Sequence, residues 1–136
     1  TTDDRIRDQF FSGVALRTAL EYAVIRDGRV ASQRTLAAHD EGEDGLVPQL
    51  ARVHETADGR AVLLAQFNDS SGGVVYRITP LAETEPEWTD VPFERPMGGT
   101  ILTSTVRGGS APSDTIDVVG VVRGPALGYT RLRLGA

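Results

Sequence analysis

Seven consecutive residues, Ala61-Val-Leu-Leu-Ala-Gln-Phe67, are apolar but for Gln66. So short a run, bounded by turn residues, fits a strand covered on both faces better than a buried helix. The preceding stretch completes a hairpin from Pro48 to Asn68: Gln49 to Glu55 alternates Ala51 and Val53 with Arg52 and His54, and Asp58-Gly59 supplies the positive φ of a tight turn. The first strand is therefore expected to have a wet face, carrying Arg52 and His54, and the second none. A doubly covered strand requires a layer of structure on each side, which the rest of the chain must supply.

The 136 residues are one domain's length. A composition of 40% hydrophobic and 24% charged residues with 15 Gly and 7 Pro suits a many-turned all-β region. The net charge is −5 and all 14 basic residues are scattered arginines, which speaks against a nucleic-acid partner. No apolar stretch approaches the roughly 20 residues of a membrane span, so no membrane partner is expected, and Thr-Thr-Asp-Asp-Arg5 does not begin a signal peptide. Cysteine is absent and His39 and His54 are the two histidines, so a zinc site would have to recruit carboxylates. No metal and no cofactor is expected. The absence of lysine points to a GC-rich bacterial coding bias. The chain starts at Thr1 with Met97 its one methionine, which reads as processing or as part of a longer protein.

Residues 1–13 read as a lead-in arm. Val14 to Leu36 forms a hairpin turned by Asp27-Gly28, and His39-Asp-Glu-Gly-Glu-Asp-Gly45 is a polar loop with four carboxylates. Val74 to Thr79 alternates as a strand after the Asn68 to Gly73 loop, and Trp88 to Phe93, among prolines, reads as an outer edge strand. Ile101 to Arg107, Ile116 to Val122 and Leu127 to Leu134 add three more.

The strands recur. Tyr22, Tyr76 and Tyr129 are spaced by 54 and 53 residues in similar contexts, and Val62 to Ala65 falls opposite Ile116 to Val119. A four-stranded unit of about 53 residues points to a β-propeller blade. Residues 14–36 then make a partial blade, 48–95 a full blade and 100–134 a final partial blade, about two and a half in all. Propellers close with about four to eight blades, so the chain reads as part of a larger propeller, completed by further blades or a second chain. The alternative is a β-sandwich.

Thr103-Ser-Thr-Val-Arg-Gly-Gly-Ser-Ala-Pro-Ser-Asp-Thr-Ile-Asp-Val-Val-Gly120, followed by Gly128-Tyr-Thr-Arg-Leu-Arg-Leu134, resembles the last blade of sialidase-like, BNR-repeat propellers, and Val53 to Val62 resembles an inner hairpin of that family. The resemblance implies a secreted or periplasmic bacterial protein with a carbohydrate ligand, the parent being a glycan hydrolase or polysaccharide lyase and this chain inactive alone. The family's Asp-box, Ser-x-Asp-x-Gly-x-Thr-Trp, survives only as the fragment Thr56-Ala-Asp-Gly-Arg60, and no complete arginine triad with its acid and nucleophile can be assigned. A non-enzymatic module that binds a glycan or protein partner stays open beside the enzyme.

In that register one loop face gathers His39, Asp40, Glu41, Glu43, Asp44 and Gln49, with Asn68 and Asp69 from a second connection and Arg95 and Arg123 nearby. His39 oriented by Asp40 is a candidate general base, and His54 on an inner strand a candidate proton acceptor for lyase chemistry. Gln49, Arg52, Asn68, Asp69 and Arg95 are candidate substrate-binding groups, since carboxylates and arginine bind sugar hydroxyls and a suitably spaced carboxyl pair can hydrolyse a glycosidic bond. Arg107 is a candidate anion anchor and Trp88 a stacking platform. The bland readings are an acidic surface loop, the polar face of a strand and outer-strand packing.

Overall fold

The computed structural model describes residues 9–10, 13, 15–82, 84–94, 97–103, 111–123 and 126–135, with 98–103 and 123 described through their backbone alone. The chain is all-β. Among the described residues nine strands run in order: β1 (Arg17–Arg26), β2 (Arg29–Asp40), β3 (Val47–Glu55), β4 (Ala61–Asn68), β5 (Val74–Pro80), β6 (Thr89–Asp90), β7 (Gly98–Thr103), β8 (Thr115–Arg123) and β9 (Ala126–Arg133). They form three open antiparallel sheets in the orders β1-β2, β3-β4-β5-β6 and β7-β8-β9. Every pairing joins strands adjacent in sequence.

Local turn chemistry explains the hairpins. Asp27 (φ 51°) and Gly28 (φ 71°) both adopt the left-handed conformation that matches the twist of paired strands. At the β3–β4 turn Gly59 has φ 80°, and the Thr56 hydroxyl donates to Asp58 Oδ1 (2.5 Å). Pro92 follows β6 and helps keep it to two residues.

The middle sheet is packed on both faces. Val62, Leu64 and Tyr76 cluster with Met97, Ile116 and Val118 of the β7–β9 sheet. The alternate residues Leu63, Ala65 and Phe67 are equally buried and face the β1–β2 side. There Phe67 meets Trp88 edge-on at 5.2 Å, and the Trp88 indole donates to the Leu36 carbonyl (3.4 Å). Arg34 of β2 reaches the carbonyls of Ala82 and Thr84 beyond β5. The expected double coverage of Ala61 to Phe67 is observed.

At the end of β3 the burial of Val53 and His54 is the reverse of the expectation, while Arg52 is exposed as expected. His54 is 5% exposed and Val53 47% exposed. His54 pairs with Val62, so its ring lies on the face that the β7–β9 sheet covers, where a polar partner waits for it. Val53 lies on the opposite face, which the two-stranded β1–β2 sheet covers incompletely.

Strand register also refines the repeat. The pairs Leu64↔Ile78, Gln66↔Tyr76 and Asn68↔Val74 recur 53 residues later as Asp117↔Arg131, Val119↔Tyr129 and Val121↔Leu127. Leu63, not Val62, thus corresponds to Ile116. Val62 and Ile116 lie in the same buried cluster between the two sheets.

Candidate functional site

At one end of the middle sheet β2 hands over to β3 and β4 to β5. Val47 pairs with Asn68, so the 41–46 connection and the 69–73 loop emerge side by side. This end holds most of the expected polar site residues. His39 and Asp40 are not in the loop, however. They are the last residues of β2, because the ladder continues through Thr18↔His39 and Arg17↔Asp40. Asp40 accepts an ion pair from Arg17 (2.7 Å), and the Glu41 carboxylate accepts the Leu16 amide (3.0 Å) while its own amide donates to the Leu16 carbonyl (2.8 Å). His39 Nε2 donates to the Glu43 carbonyl (3.0 Å) and does not engage Asp40 as an oriented base would. Gly42 (φ 88°) lets the connection fold over.

Asp69 builds the neighbouring loop. Its Oδ1 accepts from the Ser71 amide (2.9 Å), the Ser71 hydroxyl (2.6 Å) and the Gly73 amide (2.7 Å). These donors, the Ser71 hydroxyl foremost, hold its carboxyl below the ordinary carboxylate range. Gly73 leaves no room for a side chain, since a Cβ there would lie 2.6 Å from Asp69 Oδ2. Asn68 is half-buried, while Gln49 and the backbone of the 41–45 turn are open to solvent. Among the described residues no group of three or more His, Asp and Glu is placed to hold a metal ion.

His54 is at the opposite end, beside the β3–β4 turn, roughly 25 Å along the strand from Val47. Its Nε2 donates to the Ser113 carbonyl (2.7 Å), which fixes the tautomer, and its buried Nδ1 has no hydrogen-bond partner among the described residues. Next to it the Ala57 amide donates to Asp114 Oδ1 (2.9 Å), and the Leu134 amide to the Asp114 carbonyl (2.8 Å). His54 is thus a latch between two sheets, far from His39. Arg52 shares its face of β3 but is exposed. The Asp-box fragment serves the same turn: Asp58 also accepts from Arg60 Nε (2.6 Å), and the Thr56 hydroxyl and Arg60 hold its carboxyl low. Trp88 is half-buried and packs edge-to-face against Phe67. Arg95 and Arg107 lie outside the described residues, as does the side chain of Arg123.

One cluster escaped the sequence reading. On the outer surface of the β7–β9 sheet Asp117 accepts from Arg131 Nε (2.6 Å) and from the Tyr129 hydroxyl (2.7 Å), which depresses the Asp117 carboxyl and raises the Tyr129 phenol. The pairing Asp117↔Arg131 at the repeat position of Leu64↔Ile78 was the available signal.

No family model, curated protein or solved structure matches this chain. No helix among the described residues is long and apolar enough to cross a membrane.

Proposed function

We propose that this chain is the C-terminal part of a carbohydrate-active β-propeller protein, in which the end carrying the 41–46 and 69–73 connections forms part of a glycan-contacting rim. The observation that carries this reading is the recurrence of the β4–β5 register 53 residues later in β8–β9, in sheets that pack face to face. Stacking of like sheets is how a propeller is built, and their connecting ends supply its ligand surface. Gln49 and Asn68 offer amide donors and acceptors to sugar hydroxyls there.

A non-enzymatic glycan- or protein-binding module is the second reading. It is favoured by the engagement of Asp40 with Arg17 of β1 and of Asp69 and His39 within their own loops, which occupies these candidate acid–base groups. Screening of the chain and its parent polypeptide on glycan arrays, with turnover measured on every glycan bound, tests both. Replacement of Gln49 and Asn68 by alanine should weaken glycan binding about tenfold, the loss of a few hydrogen bonds to the ligand. Unchanged binding, or none to any glycan, would discard the rim. Turnover by the parent would exclude the non-enzymatic reading.

A further inference from the structure

We infer that the cleft beneath the tip of the β1–β2 hairpin binds a small organic anion, a carboxylate carried on a compact apolar body. The β1–β2 ladder runs from Arg17↔Asp40 to Arg26↔Arg29, and every residue from Ile25 to Gln33 is exposed, so the tip carries no sheet on either side. Beneath this overhang, facing the segment that leaves β5, lies a cleft of about 610 Å³ lined by Tyr22, Val24, Arg26, Ser32, Arg34 and Leu81 among others. That is the size of a small-molecule site. Register explains the lining. Tyr22↔Arg34 and Val24↔Ser32 are cross-strand partners and Arg26 follows two residues after Val24, so these five share one face of the hairpin. The cleft is at the opposite end of the ladder from Asp40, and the inference is independent of the glycan rim.

The charge of the cleft is unbalanced. Two guanidinium groups line it and no carboxylate does, in a chain whose net charge is −5. Glu21 and Asp27, the acids of β1 and its turn, are not in the lining, and Glu21 accepts from the Thr35 hydroxyl (2.7 Å). Arg34 is held in place without being neutralised. Its two terminal nitrogens donate to the carbonyls of Ala82 and Thr84, and its guanidinium carbon lies 5.6 Å from the centre of the Tyr22 ring. Those acceptors carry no formal charge and a guanidinium has five N–H donors, so this half-buried cation keeps its charge and has donors to spare. The exposed Arg26 side chain has no ion-pair partner among the described residues and adds a second positive charge, roughly 13 Å along the ladder. Val24, Ala31 and Leu81 supply the apolar wall between the two. A carboxylate on Arg34 with its hydrocarbon along that wall matches both halves of the cleft, whereas a bare, strongly hydrated anion would leave the apolar half without a partner.

The probes are isocaproate and benzoate, titrated into the ¹⁵N-labelled chain beside acetate and isocaproamide. Saturable amide shifts concentrated in residues 22–34 and 81–82 are expected with the two acids, and binding at least about tenfold weaker with acetate and with the uncharged amide. R34Q should lose about tenfold in affinity and R26Q about threefold, the second being an exposed charge. Because Arg34 also holds the segment after β5, S32D is the variant that keeps the proposal falsifiable: it sets a carboxylate in the cleft from an exposed position and should abolish binding with the Arg34 contacts intact. Absence of shifts at about 20 mM acid, a ligand strength within reach of so small a molecule, would overturn the assignment. So would acetate or isocaproamide binding as well as isocaproate, or an affinity indifferent to S32D. A leucine-ended tripeptide with a free C-terminus that binds more tightly than isocaproate, and loses this on amidation, would overturn it in favour of a chain terminus as the occupant.

Discussion

Tyr76 and Tyr129 occupy equivalent places in their ladders, and together with Tyr22 they meet three environments. Tyr22 is half-buried with the Arg34 guanidinium 5.6 Å from its ring, Tyr76 is 4% exposed and Tyr129 61% exposed. The difference is what lies over each face, and it sets the chemistry of the hydroxyl. Tyr76 donates to the Met97 carbonyl (2.9 Å) at the entry to β7, and burial pushes its phenol up to about 12. Because the folded value is raised, the stability it contributes is complete below the unfolded value near 10 and is lost as pH rises from there toward 12. Absorbance titration at 295 nm should show one tyrosine that ionises only as the chain unfolds, a feature missing from Tyr76→Phe. That variant should also lose about 1–2 kcal/mol in urea denaturation, because the Met97 carbonyl is left buried without its donor. An unchanged midpoint would mean that water replaces the hydroxyl.

At the scale of the strand, β9 shows how the lack of a side chain lets a neighbour in the same sheet pack over the backbone. Gly128 pairs with Gly120, and a Cβ on Gly128 would fall 2.1 Å from Val122 Cγ2 and 3.5 Å from Met97 Sδ. Val122 is β-branched and has little rotamer freedom, so Gly128→Ala should destabilise by about 1–3 kcal/mol through overpacking. Thermal unfolding of the variant checks this; a neutral result would show Val122 yielding. The hairpins around Asp27-Gly28 and Asp58-Gly59 were legible in the sequence because a turn is decided by its own residues. The faces of β3 were not, because the alternation of Val53 and His54 carries no record of which neighbouring sheet is wider. The surroundings of the candidate site residues were hidden for the same reason. His39 and Asp40 look like loop residues until β1 is laid alongside, and the carboxylate of Asp69 looks free until Ser71 and Gly73 fold back onto it.

At the scale of the whole molecule, coverage decides which apolar residues matter. Leu63 is 4% exposed in a strand enclosed by sheets on both sides, whereas Leu127 is 77% exposed on the outer face of the last sheet. Leu63→Ala should therefore cost about 2–5 kcal/mol, while Leu127→Ala should change stability by less than about 0.5 kcal/mol. Chemical denaturation of the two variants separates the cases, and a large loss at Leu127 would mean that the outer face is covered in solution. The order of the strands carries a kinetic consequence as well. Each ladder joins neighbours along the chain, so every sheet can zip from its own turn without first closing a long loop. Assembly then becomes a matter of docking preformed hairpins, with β3–β4 the natural first nucleus and the His54 latch engaging only after the segment around Ser113 has arrived. Such a chain should fold fast for an all-β protein.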